Sequence, residues 1–558
     1  MTDILAEIFE KAGSDEIDKI VYLIQGQVKP PFEGLDIGLG EKYIERAISI
    51  ATGYSRKKVS DVFSETGDLG KTASKLKEKE LQQSLVQKEL TVKDVYNGMI
   101  RIAEASGRGS EDLKIKILAE LLNNASPLEA RYITRIPLNK LRLGVGDPTI
   151  MDALSVMKKN DKSLRENLQR GYNLCSDLGK IAKIFKEKGV EEVEKIKIEV
   201  FNPIRPALAE RLKSEEGIID KHGKTAVEGK YDGFRLECHK KGDKVKLFSR
   251  RLDDMTDMFP ELVEAIKELK INELIFEGEA MSYNEEKNKF RSFQETMRRR
   301  RKYEVEEMSK KYPLKLFIFD LMYLEGKDYT NKPYMERRKK LEEILSEKNE
   351  ESTLRISEMK ITDDPEEVQR IFEENLSKGL EGIIAKDPEA SYKAGSRGWR
   401  WIKLKKSYEG ELADTIDILI VGYYKGKGSR TKFGFGGLLG CVYNKEKDIF
   451  ETVAKVGTGF TEEQMKKFSE KLGEIKIERK PVRVDSKIEP DYWVEPKYVV
   501  TVNADEITKS PEHTCGSKDE DGKGYALRFP RLEGWIRKDK KPEDATTTEE
   551  IEKMYELQ

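Results

Sequence analysis

Cysteine, histidine and long apolar runs are all scarce in this sequence, and each scarcity closes off a class of protein. The four cysteines, Cys175, Cys238, Cys441 and Cys515, lie far apart and never form a C-x-x-C pair. That spacing argues against a disulfide framework or a zinc site and predicts a reducing compartment, the cytoplasm. The three histidines, His222, His239 and His513, show no helical metal-ligand spacing. No run reaches the roughly 18 apolar residues that a membrane span needs. The greasiest segment, Leu316 to Leu324, is broken by Asp320, and the start, Met1-Thr2-Asp3-Ile4, lacks the basic region of a secretory signal. A membrane protein is therefore not expected.

Two nucleotide-binding signatures are missing as well. No G-x-x-x-x-G-K-[ST] occurs, and the nearest approach, Gly516 to Gly524, has the wrong spacing and ends in glycine. Gly434, Gly436, Gly437 and Gly440 fall between strand-like segments rather than at a strand-to-helix turn, which argues against a dinucleotide fingerprint. An excess of one charge is also lacking. Lys+Arg total 103 against 104 Asp+Glu, so any anionic partner must be met by local cations. Such runs exist at Arg298 to Lys302, Arg337 to Lys340 and Lys403 to Lys406, although a solvated helix face would give the same pattern. Abundant Lys, Glu and Arg with few cysteines also fits heat adaptation as a compositional trend.

At 558 residues the chain predicts about three or four domains. Residues 1–200 read as helical. Ile4, Leu5, Ile8 and Phe9, and later Leu113, Ile117, Leu118, Leu121 and Leu122, keep three-four spacing. Ser126-Pro127-Leu128-Glu129 supplies an N-cap, a first-turn proline and a capping-box glutamate. A charged tract at Lys183 to Lys197 and the stiff connection Phe201 to Pro206 mark a boundary, with flexible joints expected near residues 203 and 410.

Residues 201–411 alternate as a mixed α/β domain. Strands are predicted over Ala226 to His239, Lys244 to Arg251, Leu274 to Met281, Leu316 to Tyr323, Gly382 to Lys386 and Trp401 to Lys405. From residue 412 to 558 short strands with glycine-rich turns, Asp417 to Tyr424, Gly437 to Tyr443 and Ile449 to Lys455, predict a small β-barrel. The tail beyond Lys541 reads as a short helix or a frayed end.

The chemistry-bearing residues are charges inside apolar strands. Period-two geometry puts Glu228, Lys230 and Asp232 on one face, pairs Glu277 with Glu279, and pairs Lys403 with Lys405 while Ile402 and Leu404 face the core. One such strand could be an amphipathic edge. Several on what reads as one sheet point to a site, with carboxylates suited to Mg²⁺ and paired ammonium groups suited to phosphate. Lys230, with Gly233 allowing close backbone approach, is the best nucleophile candidate. Its ordinary pKa near 10.4 requires neighbouring cations or a metal to release its proton.

Set in order, the runs Lys230 to Arg235, Ser249-Arg250-Arg251, Phe276 to Ala280, Phe319 to Tyr323, Glu381 to Lys386, Trp401 to Lys405 and Arg537 to Lys540 resemble the motif series of ATP-dependent DNA ligases. The flanks Ser126 to Arg135, Leu141 to Gly144 and Leu527 to Arg531 resemble the archaeal and eukaryotic replicative type. The resemblance implies an all-α DNA-binding domain over 1–200, an α/β nucleotidyltransferase (adenylation) domain over 201–411 and an OB-fold β-barrel with a C-terminal helix over 412–558.

By position, it also implies that Lys230 forms a lysyl-AMP phosphoramidate with ATP, that Glu228 reads the adenine amino group and that Phe319 stacks on the ring. Arg235, Arg250 and Arg397 would hold ribose and phosphates, Glu279 and Glu381 would position Mg²⁺, and Lys403 and Lys405 would neutralise the α-phosphate. Arg537, Asp539 and Lys540 would act from the last domain. Ser407 and Glu277 depart from the family pattern, where an acidic residue and Asp are commoner. The implied partner is nicked duplex DNA, sealed by a monomer in replication, repair and recombination. Gln82 to Val86 stands where archaeal relatives carry a sliding-clamp motif, with Leu and Val in place of aromatics; an ordinary interhelical loop would look the same. An RNA ligase or RNA-capping guanylyltransferase of the same superfamily, or a non-catalytic DNA clamp, are the competing readings.

Overall fold

Helix signals in the first third of the chain are met by helices. The computed structural model describes all residues except 80–88, 140, 142, 213, 285–288, 292–294, 297, 300–303, 348–351, 406–414, 427, 518–521 and 557–558. The segment Gln82 to Val86, Arg142, the end of the Arg298 run, the joint near 410 and Ser407 thus lie outside the described residues. Two compact units result, Met1–Lys403 and Leu404–Gln558, each described here by itself.

In the first unit, helices run from Thr2–Lys11 to Val190–Glu194. Ser126 caps Pro127–Arg135 reciprocally. Its hydroxyl accepts from the Glu129 amide at 3.4 Å, and the Glu129 carboxylate accepts from the Ser126 amide at 2.8 Å, a cap contributing about 1 kcal/mol. The apolar spacing was only half a guide to the buried face. Leu5 and Phe9 are buried while Ile4 and Ile8 are exposed, and Leu113 is exposed ahead of the buried Ile117, Leu118, Leu121 and Leu122. The charged tract at Lys183 to Lys197 is mostly helix, Leu178–Lys188 and Val190–Glu194, because Ile181, Ala182, Phe185 and Val193 give it a buried stripe.

The connection Phe201 to Pro206 is pinned rather than loose. The Phe201 amide donates to His239 Nδ1 at 2.9 Å, and the Ile204 amide donates to Glu237 Oε1 at 2.7 Å. His239 therefore carries its hydrogen on Nε2, which lies 2.8 Å from the same Glu237 oxygen. Burial pushes the imidazole down to about 3, so the ring stays neutral in this role.

Strands follow: β1 Leu208–Arg211, β2 Thr225–Lys230, β3 Phe234–Lys241, β4 Lys244–Ser249, β5 Glu273–Asn284, β6 Lys289–Phe290, β7 Leu314–Leu324, β8 Lys327–Asp328, β9 Leu354–Ile356, β10 Met359–Thr362, β11 Gly382–Lys386 and β12 Arg397–Lys405. They build two sheets. One has the order β1-β12-β11-β2-β10; the other has β4-β3-β5-β7-β8, with β6 on β5 and β9 on β7.

This corrects the expectation of a single strand over Ala226 to His239 and of one sheet carrying every charged row. The chain leaves the first sheet at Lys230 and enters the second at Phe234. Gly233 makes the crossing possible. A Cβ there would sit 2.2 Å from the Ala280 carbonyl oxygen of β5, a contact no side chain tolerates.

Three arginines of the basic runs prove structural. Arg337 and Asp320 are both fully buried and paired fork to fork, Nε to Oδ1 at 2.7 Å and Nη2 to Oδ2 at 3.0 Å. Arg338 is buried against Ser357, and Arg299 is buried against Glu261. Local sequence could not distinguish these from a solvated face, because their buried partners Asp320, Ser357 and Glu261 lie 17 to 38 residues away, and the Arg338–Glu342 pair is the kind a solvated helix also shows.

The second unit is a mostly antiparallel sheet of β13 Ile416–Tyr424, β14 Gly437–Asn444, β15 Ile449–Val456, β16 Lys476–Ile477, β17 Val484–Asp485, β18 Tyr492–Val494, β19 Val499–Asn503 and β22 Arg531–Arg537, in the order β16-β18-β13-β14-β15-β17 with β19 bridging β13 and β22. A hairpin of β20 Glu506–Ser510 and β21 Gly524–Arg528 stands beside it. The helix Glu462–Glu474, capped by Thr461 and Gln464, packs Phe468 and Leu472 into the core, and the tail ends in the helix Thr548–Glu556.

Gly233→Ala is expected to lower the chemical denaturation midpoint of the first unit, at a cost of about 1–3 kcal/mol for the forced backbone shift. Asp320→Asn, which leaves Arg337 buried without its counter-charge, is expected to cost about 3–5 kcal/mol in the same measurement.

Candidate functional site

Lys230 occupies the last position of β2, where the strand's alternation and the sheet crossing coincide. Its ammonium forms an ion pair with Glu381, the residue just before β11. Backbone pairing enforces that neighbourhood, since the Glu381 amide donates to the Lys230 carbonyl at 3.0 Å and Gly382 stands opposite Lys230 in the ladder. Across the crossing, the Gly233 amide donates to Glu279 Oε1 at 3.1 Å. Burial pushes the Glu279 carboxyl up to about 7, with Lys230 and Arg235 pulling against that rise.

Glu277 and Glu279 do share a face of β5, as expected, but they have different company. Glu277 is buried and grips Arg235 with both oxygens, at 3.0 Å to Nε and 2.8 Å to Nη2, while the Tyr392 hydroxyl donates to it at 2.9 Å. Arg235 also donates to the Ala207 carbonyl at 2.8 Å. Its guanidinium lies 5.5 Å from the ring centre of Phe319 and 5.4 Å from that of Trp401. Phe319 itself, half-buried in β7, meets Trp401 edge-on at 6.0 Å.

Glu228, two residues before Lys230 and on the same face of β2, is 2% exposed. Its Oε1 accepts from the Lys386 ammonium at 2.9 Å and from the Tyr334 hydroxyl, and its Oε2 accepts from the Ser357 hydroxyl at 3.1 Å. Lys386 is the charged residue that sequence reasoning missed as a functional group. It lies within a quoted motif, yet in the run Gly382-Ile383-Ile384-Ala385-Lys386 nothing signals a buried ammonium. Period two offers the one clue, placing it on the face of Ile384, which stands opposite Glu228. Burial pushes the Lys386 ammonium below its ordinary value, and Glu228 pulls it back up.

On β12 the predicted alternation holds. Ile402 and Leu404 are fully buried, and Lys403 and Lys405 are half-buried on the other face, one strand away from β11. Lys230, Glu228, Arg235, Glu279, Phe319 and Glu381 are thus brought together by contacts across the two sheets. Arg250 and Arg397 are not joined to them by any contact described. Arg250 lines a cleft of about 630 Å³ together with Gln25, Tyr172, Arg205 and Arg251, and Arg397 is exposed at the start of β12.

Arg537, Asp539 and Lys540 belong to the second unit. Asp539 takes Arg537 fork to fork at 2.9 and 2.6 Å, and its carboxyl is held down at about 2 by that hydrogen bonding. Asp417 of β13 holds Lys540 at 2.6 Å and stands 3.5 Å from Arg537. Asp417, unremarked in the sequence, is where both cations rest.

Comparison with known proteins places this arrangement. The family profile described as "ATP dependent DNA ligase domain" matches residues 206–405, "DNA ligase N terminus" matches 1–155, and "ATP dependent DNA ligase C terminal region" matches 431–540. A "Probable DNA ligase" of Dictyoglomus turgidum is 51% identical over 556 residues, covering 100% of this chain and 94% of that one. "DNA ligase 2" of Thermofilum pendens is 45% identical over 569 residues, with the same coverage of 100% and 94%. A solved structure called "Pmar-Lig_Pre." is similar in fold, with TM-score 0.55 and 18% identity over 96% of this chain and 95% of that one.

The Glu279 carboxyl, neutral in the folded state up to about pH 7, makes the fold bind one more proton than the unfolded chain above the ordinary carboxyl range of 4.5. Stability is therefore expected to fall as pH rises from 4.5 towards 7 through this group. Thermal unfolding of Glu279→Gln across that interval should show a shallower decline than the parent chain.

Proposed function

Since the chain belongs to the ATP-dependent DNA ligase family, we propose that Lys230 is its nucleophile and that it seals 5′-phosphate/3′-hydroxyl nicks in duplex DNA through lysyl-AMP and DNA-adenylate intermediates. The observation that carries this reading is the placement of Lys230 at the crossing between two sheets, ion-paired with Glu381 and facing Glu279. Membership that includes the N-terminal helical region supports this reading over the RNA-ligase, guanylyltransferase and non-catalytic alternatives.

In the first step the Lys230 ammonium loses a proton to water, and its nitrogen forms a bond to the α-phosphorus of ATP as the bond to pyrophosphate breaks. The AMP then passes to the DNA 5′-phosphate, and the 3′-hydroxyl displaces it. All three are phosphoryl transfers, governed by alignment and charge neutralisation. Lys403 and Lys405 supply cationic character to the α-phosphate, Phe319 a face for the base, Glu228 an acceptor for its amino group, and Arg235 a fixed guanidinium at the base–ribose end. Arg250 and Arg397 are the proposed contacts to ribose and phosphates. Arg537, Asp539 and Lys540 would act on the leaving pyrophosphate after release from Asp417.

Mg²⁺ fits the donor set. Among the described residues no cluster of three or more His, Cys, Asp or Glu forms a closed metal cage. Two hard carboxylates near Lys230, Glu279 and Glu381, suit an ion that keeps several waters and shares phosphate oxygens. When bound, it would supply charge neutralisation to the triphosphate.

The working unit is taken as a monomer of three domains, 1–200, 201–411 and 412–558, acting in the cytoplasm. No described helix is long and apolar enough to cross a membrane. Docking of a sliding clamp on Gln82 to Val86 remains a sequence proposal. Incubation with α-labelled ATP is expected to label the intact chain covalently and to leave Lys230→Ala unlabelled; labelling of that variant would overturn the assignment.

A further inference from the structure

Every group around Glu228 is a donor. Ser357 accepts on its hydroxyl oxygen from Arg338 Nη1 at 3.0 Å, while Arg338 Nη2 donates to the Ser357 carbonyl at 2.6 Å. The serine's single hydrogen is thereby turned to Glu228 Oε2, 3.1 Å away. Lys386, 1% exposed, donates to Glu228 at 2.9 Å and to the Phe319 carbonyl at 2.8 Å. Its ammonium lies 4.9, 4.5 and 4.6 Å from the ring centres of Phe319, Tyr334 and Trp401, so three aromatic faces seal it from water. The Tyr334 hydroxyl completes the set on Oε1.

None of these neighbours can accept a hydrogen from Glu228 without losing its own bond. The carboxylate's remaining lone pair can therefore only accept. An aminopurine edge satisfies it, whereas an oxopurine edge turns a carbonyl towards a buried anion and leaves both unpaired, the arrangement that binding sites reject most strongly.

We infer that Lys386, with Ser357 and Arg338 behind it, is the positioning residue that fixes Glu228 as an acceptor only and so sets the preference for adenine over guanine nucleotide. This rests on Glu228 facing the base. Without the ammonium, this buried carboxylate keeps only Tyr334 and Ser357, with Arg338 behind, and its charged form is less favoured. The protonated acid then has a hydrogen to offer an oxo group.

The test is self-nucleotidylation of the full chain with α-labelled ATP and α-labelled GTP, comparing kcat/KM for each between pH 6 and 9. Lys386→Met is expected to reduce the ATP/GTP ratio by roughly tenfold or more, chiefly through gained GTP use that grows as pH falls. Lys386→Arg should recover part of the ratio. Ser357→Ala, which keeps the Lys386–Glu228 ion pair, should reduce it several-fold in the same direction, with folding checked by thermal unfolding. Glu228→Gln separates the two levels of the argument. If that variant leaves the ratio unchanged, Glu228 does not read the base and its assignment falls. If Glu228→Gln lowers the ratio while Lys386→Met and Ser357→Ala leave both ratio and pH profile as in the parent, the positioning role is overturned and the assignment of Glu228 stands.

Discussion

The closeness of the backbone at Gly233 to the Ala280 carbonyl is the constraint on which the candidate site depends. It lets one strand end and the next begin in a different sheet within three residues, and Lys230 is the last residue before the switch. One sheet then brings Glu228, Lys386 and Lys403, the other Arg235, Glu277, Glu279 and Phe319. A side chain at 233 would separate the sheets locally and with them the two halves of the chemistry. Hydrogen bonding from the Gly233 amide to Glu279 ties the same point to the carboxylate beside the lysine.

Around this crossing the charges are buried in pairs. Asp320 with Arg337, Glu277 with Arg235 and Glu228 with Lys386 each place a strand or helix cation against a strand carboxylate out of water. Such pairs add little net stability compared with apolar packing, yet removing one partner is costly, so they fix geometry more than they strengthen the fold. The near-balance of charge in the whole chain is in part the sum of these internal neutralisations. What is left at the site is a small number of cations whose positions are dictated by their neighbours.

Much of this was legible in the sequence, and the exceptions have physical reasons. Strand periodicity predicted that Lys403 and Lys405 share the face opposite the buried Ile402 and Leu404, and the capping box at Ser126 was visible because cap and partner are three residues apart. The break between β2 and β3 was not, since the alternation of Glu228, Lys230 and Asp232 runs on through the turn and the decisive contact is with a carbonyl 47 residues later. Arg337 and Arg338 look like a surface run because their partners are supplied by distant strands. Lys386 was hidden by its apolar neighbours, and Asp417 by a strand in which it is the one acidic residue.

The ion pair between Lys230 and Glu381 has a consequence for chemical selectivity. An ammonium engaged by a carboxylate has no lone pair to present to an electrophile, so in the absence of nucleotide this amine is guarded. The guard is lifted only by something that competes for the carboxylate, and a metal-bearing triphosphate is a species of that kind. For the nucleophile proposed here, arrival of such a competitor is the event that would free the amine from Glu381.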